Sequence, residues 1–321
     1  MPAVIVIKPG LLTTIQDRGR WGLQARGVPV AGPMDPCSHR VANALVGNPP
    51  DAATLEITLI GPELEFEDER VLAVAGAEFS VSVDDRKQPP NAPFVVKRGG
   101  RLGFGGRARG ARAYLAISGG VAVPPVMGSR ATHLVSRLGG LGGRALRAGD
   151  RLPLGDIHLP SSARLLRALS PEIQTGLLAP PDARARIRVL PGPQREHFSS
   201  DALDALQSAS YVVSTSSDRM GFRLEGPILE RVRGREMISD ATPLGALQVP
   251  ASGQPVLLMA DRQTTGGYPK IATVITADIG IAGQLAPGDR ISFEVSTLQQ
   301  AYAALIAQEQ ALMAIEAIGR Q

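Results

Sequence analysis

The sequence predicts a mainly β fold with a few helices, of the α+β class. Glycine and proline are abundant, with 36 and 26 residues in a chain of 321, whereas aromatic residues make up only 4% of it. This composition is typical of short strands joined by many turns. Long amphipathic patterns are scarce until residue 297. Two short internal echoes in addition suggest two related β-rich halves.

The first fifty residues predict one strand, one loop and one helix. Residues 3–8 are a β-branched run that ends at a Pro-Gly turn, and a glycine-rich loop follows it. This loop carries Asp17 and Arg18, which are interpreted either as a structural ion-paired loop or as ligand contacts. Asp35 before Pro36 is typical of a helix N-terminus, and the helix is expected to end at 47–49.

The first turn of this helix contains Cys37 and His39. There the helix dipole is expected to lower the pKa of the thiol. A Cys–His nucleophile pair is disfavoured, because residues two positions apart on a helix do not face each other.

Residues 54–118 read almost entirely as strands and turns. The alternation in 63–67 predicts a strand with one apolar and one acidic face. Residues 103–108 match the dinucleotide fingerprint GxGxxA, but a strand rather than a helix is predicted after them, so the match is interpreted as accidental. The other predicted strands are 55–60, 71–75, 79–83, 94–96 and 113–117.

The internal echoes define the predicted domains. Residues 61–65 are echoed by 226–230, and 149–152 by 288–291, in the same order. We therefore expect an N-terminal β-rich half over 1–160, a connecting segment over 161–185 and a C-terminal half over 186–321.

The second half predicts further strands, a short helix over 201–207 and a long terminal helix. Thr297 with Gln300 three residues later forms a capping box, which starts an alanine-rich helix to about Ile318. This helix is expected to dock on its own barrel or on a partner. The predicted strands are 186–190, 211–214, 256–260, 271–276 and 291–295.

The densest group of polar side chains follows the apolar run 256–260. Such side chains, emerging from a buried strand onto a Gly-Gly turn, favour a small polar ligand; a polar hairpin turn is the alternative. Gln248 lies just upstream. The group comprises Asp261, Arg262, Gln263, Thr264, Thr265, Gly266, Gly267, Tyr268 and Lys270.

These residue types suit a planar amide-like ligand. Gln263 or Gln248 could pair with both edges of a lactam or urea, and Asp261 could accept its N–H or act as a base. The predicted catalytic residues are Asp261, Gln263 and Lys270. Arg262, Arg219 or Lys270 could hold a carboxylate, a phosphate or an enolate-like oxygen. The predicted substrate-binding residues are Gln248, Arg262, Thr264, Thr265, Gly266, Gly267, Tyr268, Asp218, Arg219, Asp17 and Arg18.

Residues 245–270 resemble, nearly residue for residue, the signature of a bacterial family. The family is known as allophanate hydrolase subunit 2, as the biotin-dependent carboxyltransferase family, and as the C subunit of ATP-dependent 5-oxoprolinase. The resemblance covers almost the whole chain. Its other motifs are QDRGR at 16–20, GVPVAGPMD at 27–35, YLAISGG at 114–120 and STSSDRMGFRL at 214–224.

The resemblance implies two cyclophilin-like β-barrel halves, with the terminal helix in addition. It implies the C subunit of a 5-oxoprolinase, which helps to open 5-oxo-L-proline to L-glutamate with ATP hydrolysis. The expected partners are the B-type subunit, similar to allophanate hydrolase subunit 1, and a third oxoprolinase subunit. One alternative is a carboxyltransferase that moves carboxylate from carboxybiotin to urea or a similar amide. Another is a regulatory binding module that antagonises a sensor-kinase inhibitor. The length of the chain, without a biotin carboxylase region, favours the first.

We expect the chain to bind no cofactor itself and to be inactive alone. It contains neither a GxxxxGK[ST] loop nor an MKM-type biotin-attachment segment. ATP with Mg is therefore expected at or near a partner, or alternatively carboxybiotin presented by a partner. The four histidines, His39, His133, His158 and His197, are too far apart in sequence for a typical metal motif, so no metal site is expected.

Charge and hydropathy exclude other classes of function. The net charge is +4, but the arginines are scattered among acidic residues and no basic run contains aromatic residues, so nucleic-acid binding is not expected. No run approaches the length of a membrane span. The single cysteine, Cys37, fits a reducing compartment. The sequence therefore predicts a cytoplasmic protein.

Overall fold

A computed structural model describes residues 1–157, 177–178, 180–232 and 237–320. The chain forms two compact units. The first comprises Met1–Arg20, Ala31–Pro180 and Gln308–Gln321, and the second comprises Trp21–Val30 and Pro181–Ala307. Most of the predicted connecting segment 161–185 lies outside the described residues. The predicted mainly β fold with a few helices is confirmed.

The first unit is built on a nine-stranded sheet, which curves as a half-barrel. Its strands are β1 (Ala3–Lys8), β2 (Leu12–Gln16), β3 (Thr54–Thr58), β4 (Glu63–Phe66), β5 (Arg70–Val83), β6 (Arg86–Lys87), β7 (Phe94–Val96), β8 (Arg101–Ile117) and β9 (Arg151–Pro153). The order along the sheet is β2-β3-β8-β4-β1-β9, and β5 pairs with β6, β7 and β8. The apolar residues of β4 are buried and alternate with half-buried glutamates, as predicted.

The two longest strands differ from the sequence prediction. The segments 71–75 and 79–83 belong to one strand, β5, whose register with β8 shifts between Gly76 and Val81. Gly76, with a φ of 101°, interrupts the apolar pattern there and made one strand resemble two. The GxGxxA segment 103–108 lies inside β8, so its match to a dinucleotide fingerprint is accidental, as predicted.

The first helix packs on this sheet. Helix α1 (Pro36–Leu45) begins where predicted, and the Asp35 carboxylate accepts a hydrogen bond from the Ser38 backbone N–H at 3.0 Å. Cys37 and His39 are both buried. The expected lowering of the Cys37 pKa is wrong, because burial, the larger effect, and the Asp35 carboxylate both raise it.

The second unit contains a closed barrel of seven strands in the order β10-β17-β14-β15-β12-β11-β18. β10 and β18 pair in parallel, and the other neighbours pair antiparallel. The separate pair β13 and β16 forms a two-stranded sheet. The strands are β10 (Arg184–Pro191), β11 (Ser210–Val213), β12 (Gly221–Glu225), β13 (Asp240–Ala241), β14 (Ala246–Gln248), β15 (Val256–Leu258), β16 (Thr265–Gly266), β17 (Lys270–Val274) and β18 (Arg290–Val295).

Three helices follow in the second part of the chain. They are α2 (Ser200–Ser208), α3 (Ile279–Gly283) and α4 (Leu298–Arg320). The predicted capping box starts α4: the Thr297 N–H donates to Gln300 Oε1 at 2.8 Å, and the Gln300 N–H donates to Thr297 Oγ1 at 3.2 Å. Late in the helix, Leu312 is buried in the first unit. Within the described residues, no helix has the length and hydropathy needed to cross a membrane.

One of the sequence echoes corresponds to a repeated turn. In the first unit, the Arg147 N–H donates to Asp150 Oδ2 at 2.7 Å before β9. In the second unit, the Ala286 N–H donates to Asp289 Oδ2 at 2.8 Å before β18. The preceding glycine has a positive φ in both turns. The echo 61–65 with 226–230 has no such correspondence, because the first segment enters β4 and the second lies outside the named strands.

Candidate functional site

The predicted polar stretch lies in the second unit, between barrel strands β15 and β17. β15 ends at Leu258, two residues earlier than predicted, and the chain then turns. Thr265 and Gly266 form β16 and pair with Ala241 and Asp240 of β13. The polar side chains are therefore held by a small sheet as well as by the end of the barrel.

Two glutamine side chains form the centre of the site. Gln248, at the end of β14, is buried and pairs across the barrel with Val256 and Lys270. The Gln263 Nε2–H donates to Gln248 Oε1 at 3.2 Å, and Gln248 Nε2 lies 3.5 Å from the Tyr268 carbonyl oxygen. Within the described chain, Gln263 Oε1 accepts no hydrogen bond. This pair, the amide pair hereafter, thus retains hydrogen-bonding capacity for a ligand.

The amide pair lines a cleft of about 360 Å³, which we name the amide cleft. A volume of this order suits a small organic ligand. Asp218 lines it too, and its Oδ1 accepts the Met220 N–H at 2.8 Å. The remaining lining residues are Met220, Gly221, Arg223, Pro250, Ser252, Val256, Leu258 and Tyr268.

Gly266 is required where the amide pair packs against β16. A Cβ at this position would lie 2.7 Å from Gln248 Nε2 and 3.2 Å from Gln263 Nε2. Both distances are shorter than ordinary contacts, and both atoms are ends of flexible side chains. A larger residue would therefore displace the amides and leave the backbone in place.

Replacing Gly266 by alanine is expected to weaken ligand binding while costing at most about 1–3 kcal/mol of stability. The matched control is Gly267→Ala, because a Cβ at Gly267 would meet only Ser239 Oγ at 3.7 Å. Thermal unfolding and ligand titration of both variants check this. Equal ligand affinities in the two variants would show that the amide positions are unimportant.

Asp261 and Arg219 form a buried ion pair. Arg219 Nε and Nη2 donate to Asp261 Oδ2 and Oδ1, both at 3.0 Å, and the two side chains are only 4% and 2% exposed, Arg219 being the former. The Asp261 backbone N–H also donates to the Arg219 carbonyl at 2.8 Å. Because both carboxylate oxygens accept from Arg219, Asp261 could act as a base only if Arg219 released one of them.

Lys270 is engaged with β13. Its side chain is 1% exposed, and its Nζ donates to Asp240 Oδ2 at 2.7 Å and to the Ala241 carbonyl at 3.0 Å. The hydrogen bond from Lys270 is the main cause that lowers the pKa of the Asp240 carboxyl below its usual value. Lys270 thus fastens the strand that pairs with Thr265 and Gly266.

Arg262 and Thr264 lie on the other side of the turn. Arg262 is buried, its Nε donates to the Thr242 carbonyl at 2.9 Å, and burial lowers the pKa of its guanidinium to about 10. The Thr242 N–H donates to the Thr264 carbonyl at 3.1 Å, and its hydroxyl donates to the Gln263 carbonyl. Thr265, Gly267 and Tyr268 are exposed.

Asp17 and Arg18 belong to the first unit, apart from the residues above in the division of the chain. Asp17 is buried, and its carboxylate accepts hydrogen bonds from Ser129 Oγ, the Gly19 N–H and the Arg130 N–H. Arg18 is exposed. This arrangement agrees with the structural interpretation of the loop.

Sequence reasoning missed Asp240 and Thr242. Both contact the polar stretch through the pairing of β13 with β16, which joins Asp240 to Gly266 and Ala241 to Thr265. A two-residue strand gives no periodic signal, so nothing local in the sequence indicates this pairing. Among the described residues, no three His, Cys, Asp or Glu side chains lie close enough together to hold a metal ion. His158 lies outside them.

Comparison with known proteins shows the family. The family "Carboxyltransferase domain, subdomain A and B" matches residues 26–295. The chain is 40% identical to the C subunit of 5-oxoprolinase from Escherichia coli over 297 residues, which are 92% of each chain. It is 36% identical to urea amidolyase of Lachancea kluyveri over 97% of this chain but only 18% of that protein.

Solved structures agree with this assignment. The urea amidolyase of Kluyveromyces lactis superposes with a TM-score of 0.87 at 33% identity, covering 98% of this chain and 20% of that one. The urea carboxylase of the same organism gives the same TM-score and identity, with 29% of its chain covered. The chain therefore spans about a fifth to a third of these larger proteins. The resemblance found in the sequence is confirmed, and the chain belongs to the family of carboxyltransferase domains with subdomains A and B.

Proposed function

We propose that this chain is the C subunit of a 5-oxoprolinase and helps to open 5-oxo-L-proline to L-glutamate with ATP hydrolysis. The amide pair in the amide cleft carries this proposal, because it offers a donor and an acceptor to one planar ligand. The similarity to the C subunit of the Escherichia coli 5-oxoprolinase also supports it, since that relative is matched over 92% of its length.

The chemistry of a lactam fits the amide pair. A lactam presents one strong acceptor, its carbonyl oxygen, and one donor, its N–H. Gln263 Oε1 accepts no hydrogen bond within the described chain and would take the lactam N–H. Gln248 Nε2, with its long 3.5 Å contact to the Tyr268 carbonyl, would donate to the lactam oxygen. Fixed donors at this oxygen stabilise the negative charge that develops there during ring opening.

Asp261 and Lys270 serve this site mainly as positioning residues in our proposal. The Arg219–Asp261 pair holds the start of the turn that carries Gln263. The Lys270–Asp240 pair holds the sheet that brings Gly266 against both amides. Tyr268 and Asp218 remain at the cleft and are proposed to contact the substrate.

The proposed reaction depends on other chains. A relative that is named as one lettered part of an enzyme implies companion chains, and we propose that these are the B-type protein and a third oxoprolinase component. ATP with Mg would bind at or near such a partner. The chain alone is then expected to be inactive.

A second candidate is transfer of carboxylate from carboxybiotin, presented by a partner, to urea. The similarity to urea amidolyase over 97% of this chain favours it. Urea also carries a carbonyl oxygen and N–H groups, so the same amide pair could orient it. The matched relatives of similar length to this chain, however, are 5-oxoprolinase subunits.

The test is to reconstitute the chain with its two companion subunits and to measure ADP and glutamate release with 5-oxo-L-proline. The proposal predicts release of both products, lost when this chain is omitted. Urea-dependent consumption of carboxybiotin without turnover of 5-oxo-L-proline would instead establish the carboxyltransferase. Silence with both substrates would favour the regulatory binding module.

A further inference from the structure

A second cleft in the second unit has a different character from the amide cleft. It has a volume of about 520 Å³, and we name it the Trp21 cleft. Its apolar wall consists of Trp21, Val30, Pro243 and Leu244, and its polar wall includes Arg262 and Thr264. Gln263 is the one residue that lines both clefts as described. The two clefts therefore present largely separate sets of side chains.

The guanidinium of Arg262 is the notable group in this cleft. The side chain is 7% exposed, and its Nε donates to the Thr242 carbonyl at 2.9 Å. Its Nη1 makes only a long contact of 3.5 Å with the Met259 carbonyl. In the part of the chain that the structure describes, no carboxylate pairs with it.

Other buried arginines show what is missing at Arg262. Arg219 has Asp261 at 3.0 Å, and Arg70 has Asp68 at 2.8 Å. Burial of a charge without a counter-charge is unfavourable, so buried guanidinium groups are normally paired. Burial lowers the pKa of Arg262 only to about 10, so the group stays cationic near neutral pH. An anionic ligand would supply the absent counter-charge.

We propose that the Trp21 cleft binds a small monocarboxylate with an apolar body, and that Arg262 anchors its carboxylate. One guanidinium matches one negative charge, which favours a carboxylate over a phosphate dianion. The Thr264 hydroxyl is a second possible donor, and the wall of Trp21, Val30, Pro243 and Leu244 accommodates the apolar body. This site goes beyond the proposed function, because it requires neither ATP nor a companion chain.

Trp21 provides a direct readout of binding. It is the one tryptophan of the sequence, its side chain is 60% exposed, and it lines the cleft. Its fluorescence should therefore report occupancy of this site in the full chain without other subunits. The probe is cyclopentanecarboxylate, and the matched neutral ligand is cyclopentanecarboxamide. The proposal predicts a saturable change in fluorescence with the acid and none with the amide.

Two variants test the anchor in different ways. Arg262→Met removes the charge, and Leu244→Glu adds a like charge to the ligand at a half-buried position of the cleft. Each should weaken binding of the acid roughly 10- to 100-fold, the range of a charged hydrogen bond. The control, Arg186→Met, removes an exposed arginine paired with Glu294 and should leave affinity unchanged.

The contradicting results are equally definite. Equal responses to the acid and the amide, or no saturable response to the acid, would overturn the proposal. Unchanged affinity in Leu244→Glu would also overturn it, and that variant does not disturb the hydrogen bonds of Arg262. A loss of 5-oxoprolinase activity in the assembled complex would bear on the proposed function and not on this site.

Discussion

Replacing Asp261 by alanine is expected to destabilise the second unit by about 3–5 kcal/mol, the usual cost of removing one partner of a buried ion pair. The variant leaves the Arg219 guanidinium, 4% exposed, without the two hydrogen bonds that it makes to the carboxylate. The backbone hydrogen bond from Asp261 to the Arg219 carbonyl would remain, so the turn should not change its path. Denaturant unfolding of the wild-type protein and the variant measures the difference.

Two further variants separate the buried pair from the loss of a carboxylate as such. Asp218→Ala removes an exposed carboxylate next to Arg219 in sequence and should cost no more than about 1 kcal/mol. Arg219→Met combined with Asp261→Ala removes both charges and should be more stable than Asp261→Ala alone. If Asp261→Ala unfolds at the wild-type denaturant concentration, the ion pair does not stabilise the fold.

Acidification is expected to destabilise the first unit through His39, by up to about 3 kcal/mol between pH 6.5 and pH 4. Burial is the largest influence on this imidazole and lowers its pKa from 6.5 to about 4, although the Asp17 and Glu56 carboxylates act in the opposite direction. In that pH range the unfolded chain binds a proton that the folded chain excludes. The stability contributed by neutral His39 is therefore fully present above pH 6.5 and is lost as the pH falls towards 4.

The comparison of wild-type protein with His39→Gln isolates this effect, since glutamine does not titrate. The free energy of unfolding of the wild type should fall more steeply than that of the variant between pH 6.5 and 4. Carboxyl groups titrate in both proteins, so the difference between the two profiles carries the signal. Parallel profiles would show that His39 takes up its proton equally in the folded and unfolded states.

Local signals in the sequence predicted several elements well. The Asp35 cap, the capping box of Thr297 and Gln300, and strands such as Ala3–Lys8 depend on neighbouring residues. Elements that depend on distant partners were harder to predict. The bulges that let β5 continue past Gly76 follow from pairing with β8, and the pair β13 and β16 has no local signature.

The candidate site shows the same limit. The sequence located the polar stretch, but it could not assign each side chain to a cleft or to an ion pair. Asp261 is engaged with Arg219, and Lys270 with Asp240, whereas Gln248 and Gln263 line the amide cleft. Residue type alone favoured the charged groups as catalytic, and only the fold shows which polar atoms remain available to a ligand.

The central claim is that the amide pair recognises the substrate, and Gln263→Met in the assembled complex tests it most directly. Methionine keeps the approximate shape of glutamine and removes its donor and acceptor. The control is Gln207→Met, on the exposed face of helix α2. We predict that kcat/KM for 5-oxo-L-proline falls about 100-fold in Gln263→Met, the effect of losing one fixed polar contact to the reacting group, and stays unchanged in Gln207→Met. A Gln263→Met complex with wild-type kcat/KM would contradict the account.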